Sequence, residues 1–427
     1  MHKLRYTGTI LTLALLLSAC SNTSSKRDPT PLEPQTKCEL STVQALPTPT
    51  GYGALLEANT QFGLRFFAEV LKDKPNQNLF ISPYSAAQAM QMMYQGAGGD
   101  TKAKMMAALE LGELSNENLN SSNAYLMNWL SGSSNCVTLN IANSVWLDDA
   151  FPARPKFVQD NKVGFQAEIR NLDLQGMDAA KTINDWAKQK TSGKIPQLLD
   201  PDKKLEEVFF LINATYFKGK WSSPFKPEKT VDAPFTLEGG STKTVKLMNV
   251  ALENVGYLET SEFQAVRLPY QSDGQRTFIM ELYLPKAGKA LSSVLEVQTF
   301  ENVQSWKWER GTGPLALPRF KLETTLPLKT ALEGLGLGVL FTDLANLSGI
   351  SEVPTLISTA LQKTFLEVNE AGSEAAAVTI IGGVPTAAPP PAKLFNLRFD
   401  RPFLLKIREY RSSTDLFVGA VYDPESK

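Results

Sequence analysis

The chain has 427 residues, of which 43% are hydrophobic and 20% charged, and its formal net charge is −1. This is an ordinary globular composition with enough apolar residues for a large core, and the length alone suggests two or three domains. No basic run interleaved with aromatics occurs, so binding to nucleic acid or another polyanion has no support.

Residues 1–19 read as a leader: Lys3 and Arg5 precede an apolar core through Leu11–Leu17, too short to span a bilayer. The segment Leu17-Ser-Ala-Cys20 resembles a bacterial lipobox, in which Cys20 becomes the lipidated first residue. An ordinary signal peptide with an incidental cysteine is the alternative. Ser21 in place of Asp resembles lipoproteins sent to the outer membrane where the cell has one. Each buried CH₂ of an acyl chain contributes about 0.8 kcal/mol to anchoring. Residues 20–51, rich in Ser, Thr and Pro, read as a semi-extended tether, and 52–427 as a single folded domain. Cys38 and Cys136 are the two cysteines left after Cys20. Export permits a disulfide between them, and spacing leaves two free thiols as an equal reading.

The folded part opens with a helical stripe from Ala54 to Leu71 that places Leu55, Ala58, Phe62, Phe66 and Val70 near one face. Ser82-Pro83 reads as an N-cap and first-turn proline for a helix through Met93. Leu139, Ile141, Val145 and Leu147 alternate as a strand, and a helix around Ile183–Trp186 ends in the loop Thr191-Ser-Gly-Lys-Ile-Pro196. Glu207–Phe217 is apolar on both faces and belongs in the middle of a sheet. Leu361–Asn369 is a further strand, and Phe403–Ile407 with Leu416–Val421 form a core hairpin. No internal repeat is present.

The most unusual stretch is Glu370-Ala-Gly-Ser-Glu-Ala-Ala-Ala-Val-Thr379. Ser373, Ala375, Ala377 and Thr379 are small and would share one face of a strand, with Glu374, Ala376, Val378 and Ile380 on the other. Alanine is a poor strand former, and Gly372 breaks either element. Gly382-Gly383 and Pro389-Pro390-Pro391 forbid regular structure downstream. The segment reads as a strand held outside a sheet but able to slip between strands. An Ala-rich helix capped by Gly382 is the competing assignment.

Catalytic chemistry is poorly supplied. The only histidine is His2, inside the leader, so Ser-His-Asp and Cys-His catalysis and His-dependent metal sites have no residue to use. Cys38 and Cys136 lack the spacing of a structural zinc site. Gly334-Leu-Gly-Leu-Gly338 is not a dinucleotide fingerprint. Pairs such as Ser192-Gly-Lys194 carry no specificity for a Ser-Lys hydrolase. The expectation is no enzyme, no cofactor and no metal.

Glu370–Thr379 resembles the hinge of the serpins, and Leu397-Arg-Phe-Asp-Arg-Pro-Phe-Leu-Leu-Lys-Ile407 resembles the family signature after the reactive loop. Asn78–Ser85, Gly96–Thr101, Thr191–Pro196 and Phe217–Trp221 fall in the family's order, so the likeness runs from about Tyr52 to Pro424. It implies an α+β fold of eight to nine helices on a large central sheet and two smaller ones, and a metastable native state. It also implies suicide inhibition of a serine protease. The loop is cut as bait, an acyl-enzyme forms, and the hinge inserts into the main sheet as a new strand, dragging the protease along. About 15 inserted residues at about 3.3 Å each span about 50 Å.

By the same resemblance, the hinge comprises Glu370, Gly372, Ser373, Glu374, Ala375, Ala376, Ala377 and Thr379. Ser82, Ser85, Asn213 and Gln362 match the shutter, where the strands part. Gln362 stands where many members have histidine; an amide can still donate and accept, without the pH response. Trp221 matches the breach, where insertion starts. Counting seventeen residues from Glu370 ends at Thr386, which makes Thr386–Ala387 the bait bond. Bonds to the neighbouring proline nitrogens are poor substrates, and the small residues around Thr386 suit an elastase- or subtilisin-like enzyme. Ile380, Ile381 and Gly383 are fallback sites, because the loop is about five residues longer than in familiar members. No Arg or Lys between Glu370 and Ala392 offers a trypsin-like site. The expected partners are one target protease in a 1:1 covalent complex and a membrane through Cys20, with the chain a monomer. A non-inhibitory serpin acting as a binding module, and a papain-like target, are the alternatives.

Overall fold

The computed structural model describes Cys38 and residues 46–132, 134–373 and 391–425. Cys20, Glu374, Ala375, Ala376, Ala377, Thr379 and the Thr386–Ala387 bond lie outside them, as do the leader and the fallback sites. The described residues belong to one compact unit.

Helix α1 (Tyr52–Asp73) buries Leu55, Ala58, Phe62, Phe66 and Val70, the stripe that its period predicts. Strand β1 (Leu79–Ile81) leads into α2 (Pro83–Gly96). There the Ser85 N–H donates to Ser82 Oγ at 3.3 Å, and Pro83 fills the first turn, where no backbone donor is needed. Helix α2 is buried on almost every side, so it runs three residues past the predicted end without a polar face. Helices α3 (Gly99–Ala108) and α4 (Asn116–Leu130) follow. Next come β2 (Val137–Asp148), α5 (Pro155–Phe165), β3 (Glu168–Leu172), α6 (Ala179–Lys190) and β4 (Phe209–Lys220). The middle of the chain supplies β5 (Val231–Thr236), β6 (Thr242–Glu259), β7 (Phe263–Pro269) and β8 (Phe278–Pro285). Short helices α7 (Leu291–Glu296) and α8 (Phe300–Ser305) precede β9 (Glu309–Pro318), β10 (Phe320–Pro327) and α9 (Lys329–Gly334). The C-terminal part holds β11 (Thr359–Asn369), β12 (Gly372–Ser373), β13 (Lys393–Leu394), β14 (Leu397–Arg398), β15 (Phe403–Glu409) and β16 (Thr414–Val421).

This is an α+β fold with nine α-helices among the described residues. The main sheet has the order β10-β11-β12-β4-β2-β3. Strand β4 lies in its middle and is buried through Tyr216 and Phe217, as its two-faced apolar sequence requires. Phe210, Ile212 and Ala214 pack with Ile183, Trp186 and Ala187 of α6, while Phe209 and Leu211 join the cluster that holds α2. The two smaller sheets expected from the resemblance are fused into one ten-stranded network. The 18-residue β6 joins them: Thr242–Leu247 pairs with β5, Tyr257–Glu259 with β7, and β9 pairs with it from Leu247 to Tyr257 past an irregularity between Leu252 and Val255. The predicted hairpin is β15–β16, antiparallel and buried in this network.

Cys38 and Cys136 form a disulfide. It fastens the segment before α1 to the start of β2 and closes a loop with a sequence separation of 98.

Candidate functional site

Strands β4 and β11 run parallel and pair directly from Phe210–Thr359 to Tyr216–Phe365. Beyond that point they part. The chain turns at Glu370-Ala371 and returns as β12 between them: Ser373 pairs with Val368 and Gly219, and Gly372 with Asn369 and Lys220. The central pair β4–β11 is therefore zipped from Phe210 to Tyr216 and parted beyond it, with Gly372 and Ser373 seated in the gap.

The fit at the mouth is close. A Cβ at Gly372 would lie 2.1 Å from the Gly219 carbonyl oxygen, so only glycine allows β12 to seat there. Ser373 is fully buried, and its Oγ lies 2.7 Å from the Tyr270 hydroxyl. Burial pushes the Tyr270 phenol far above its ordinary range, which the Ser373 hydrogen bond only partly offsets, so it stays neutral and able to donate. Trp221 stacks on Tyr270 with ring centroids 4.4 Å apart, and its indole N–H donates to the Asn369 carbonyl at 3.0 Å. The Trp221 and Phe225 backbone N–H groups donate to the carbonyls of Ala371 and Glu370. Buried Glu370 accepts from the Arg319 Nε at 2.7 Å and from the Thr230 hydroxyl at 2.5 Å. Burial opposes its charge, but Arg319 and Thr230 outweigh that and hold its carboxyl below the usual range.

Ser82, Ser85, Asn213 and Gln362 meet where β4 and β11 are zipped and α2 begins. The Ser82 hydroxyl donates to the Leu416 carbonyl at 2.7 Å. Gln362 accepts from the Ser82 N–H and donates to the Ser82 carbonyl, both at 2.9 Å, and its amide also donates to Asn213 Oδ1 at 3.1 Å. The Asn213 amide donates to Ser85 Oγ and to Asn143 Oδ1. Thr215 completes the group through Asn213 and Ser85, and Asn143 continues it to Gln88 and Tyr84. A buried amide at 362 thus keeps the network connected without a titratable ring.

Several of these residues carried no signal in the sequence. Tyr270, Arg319, Thr230, Asn143 and Thr215 are ordinary by type. Tyr270 and Ser373 stand 103 positions apart, and Arg319 and Glu370 stand 51 apart. The one usable hint was Gly219, a glycine inside a strand, whose Cβ would come 2.6 Å from the Tyr270 ring.

In the main sheet two central parallel strands are thus zipped at one end and parted at the other by a returning strand. The chain belongs to the serpin family: the family model, described as serine protease inhibitor, matches residues 57–424. It is 35% identical to the leukocyte elastase inhibitor of Bos taurus over 87% of this chain and 99% of that protein. Its identity to the alpha-1-antiproteinase of Rattus norvegicus is 31%, over 90% and 93% of the two chains. Among solved structures it resembles the thermophilic serpin tengpin in its native state, with a TM-score of 0.75 and 28% identity over 87% of this chain and 94% of that one.

Proposed function

We propose that the chain is a suicide-substrate inhibitor of an elastase- or subtilisin-like serine protease. Residues 374–390 present the bait, and Thr386–Ala387 is the bond attacked. The observation that carries this reading is β12: Gly372 and Ser373 pair with both β4 and β11, so one continuous strand path leads from the hinge into the sheet. Continued insertion would place Ala375, Ala377 and Thr379 on the side that Ser373 already buries, and all are small enough to enter. The residues between the prolines are small or apolar, which suits a shallow specificity pocket and agrees with the names of the elastase-inhibiting relatives.

In this mechanism the protease serine attacks the carbonyl carbon of residue 386, the 386–387 bond breaks, and the new amine leaves with residue 387. Glu374 to Thr386 then advance into the slot, unzipping β4 from β11 past the amide network at Asn213 and Gln362. The attached protease is carried across the inhibitor before water can release it. Lipidation at Cys20 would hold the inhibitor at a bacterial cell surface, on the outer membrane where one exists, or facing the periplasm, with a tether before the folded domain. The leader ends at residue 19 in this reading.

The test mixes the chain with an elastase-like protease and compares a denaturing gel with intact-mass analysis. The expected result is a 1:1 complex that survives boiling and a released peptide beginning at Ala387. Cleavage without a complex, and with no rise in the melting temperature of the cut chain, would sink the inhibitory reading in favour of a binding module.

A further inference from the structure

The Cys38–Cys136 disulfide lies beside the mouth of the slot. The Cys136 carbonyl accepts the Lys220 N–H at 3.0 Å, and Val137, the next residue, pairs with Gly219. Gly219 and Lys220 are the two residues against which Ser373 and Gly372 seat. On the same side, the Gln271 N–H donates to the Lys220 carbonyl at 2.8 Å. The Gln271 side-chain oxygen touches both sulfurs, 3.1 Å from Cys136 Sγ and 3.2 Å from Cys38 Sγ. Gln271 directly follows Tyr270, the residue that holds Ser373. The disulfide therefore packs against both groups that grip the hinge, the end of β4 and the residue after Tyr270.

The covalent ring runs from Cys136 through Cys38 and α1 back to α4. Tyr52, at the start of α1, packs edge-on against Tyr125 of α4 at 4.9 Å. Fourteen residue steps separate Cys38 from Tyr52, at most about 50 Å of extended chain. Cys136 is buried, whereas Cys38 is half-buried and open to a small reductant.

We propose that this disulfide is a redox-sensitive strap that restrains the hinge at Ser373. With the strap closed, the ends of β2 and β4 and the Gln271 side chain are fixed together, and further opening must move them as a unit. Opening needs a dithiol reductant: two electrons and two protons pass to Cys38 and Cys136, giving two thiols, and the reductant closes to its own cyclic disulfide. The residues at the mouth then part more easily, and the uncut loop enters the sheet sooner. The inference rests on the insertion mechanism proposed above and adds a control on its first step.

The test uses the full chain, kept uncut and warmed, in parallel samples with the disulfide intact or reduced and alkylated. Intact mass verifies the thiol state. Conversion to a heat-resistant, loop-inserted form is followed over time by native gel and melting, and a Cys38→Ser/Cys136→Ser variant repeats the comparison without reductant. A conversion faster by about tenfold or more in the reduced chain and the variant is expected, the change that a modest shift in a barrier brings. Equal or slower conversion with the strap open overturns the strap alone. A separate sample cut in the loop, disulfide intact, tests insertion itself: no rise in its melting temperature overturns the insertion mechanism and the strap together.

Discussion

Ser373 and Glu370, three positions apart, hold the hinge by different physics. Ser373 is held by one buried hydrogen bond to Tyr270, so removing either hydroxyl leaves the other without its partner, at a cost of about 1–3 kcal/mol. We expect Tyr270→Phe and Ser373→Ala each to lower native stability by that order in denaturant titrations. The double variant should cost less than the two losses added, and strict additivity would show that the contact is not formed. Glu370 is held by charge. Its folded carboxyl lies below its unfolded value, so this interaction stabilises the native hinge above the ordinary carboxylate range and fades as pH falls through the depressed value. The native melting temperature should therefore drop as pH falls below the ordinary carboxylate range, and Glu370→Gln should flatten part of that drop. An unchanged acid profile in that variant would remove Glu370 from the account.

At the scale of elements, β12 and the zipped pair β4–β11 are what the proposed mechanism acts on. β12 seats only because Gly372 brings backbone to within contact of Gly219, and Gly372→Ala should unseat it. The expected readout is faster amide exchange at Gly219 and Lys220 with little change in the core strands; protection equal to the native chain would contradict the close fit. A large charged residue at the buried 373 position leaves the bait accessible but blocks entry. Ser373→Arg should thus be cleaved by the target without a stable complex, and its cut form should melt no higher than its intact form. The zipped region has another vulnerability. Asn213 serves Ser85, Asn143, Thr215 and Gln362 at once, so Asn213→Ala strands several buried polar groups and should cost at least about 2 kcal/mol. With Gln362 rather than histidine there, no titration near neutral pH should accompany that loss.

For the whole molecule, the disulfide joins two energetic scales. Closing a loop of 98 residues limits the unfolded chain by about 4.7 kcal/mol in the chain-entropy description, an effect on global unfolding that any fold would share. Its place beside Lys220 and Gln271 is specific to this structure, and bears on one folded form against another. The segment after the loop runs into the fused ten-stranded network through β13 and β14. Leu397, Phe399 and Phe403 are fully buried there, and the β15–β16 hairpin sits among them, so the segment after the loop is firmly rooted while the segment before it leads into the slot. In the proposed mechanism that asymmetry leaves the half before the cut as the one that moves.

The elements and their order were legible in the residues because their causes are local. A 3.6-residue apolar stripe marked α1, Ser82-Pro83 marked the start of α2, and a strand apolar on both faces marked β4. The period-2 run of small side chains at Ser373, Ala375, Ala377 and Thr379 suggested a hinge; Ser373 is buried in the sheet, and the other three lie outside the described residues. Tertiary structure alone decided what those elements meet. Nothing local to Ser373 specifies Tyr270, nothing near Glu370 specifies Arg319, and the spacing of Cys38 and Cys136 left their pairing open. The depth of the resting hinge was equally unreadable. It depends on how far β4 and β11 have parted, a balance between distant backbone pairs and the buried amides beneath them rather than a property of any one stretch of chain.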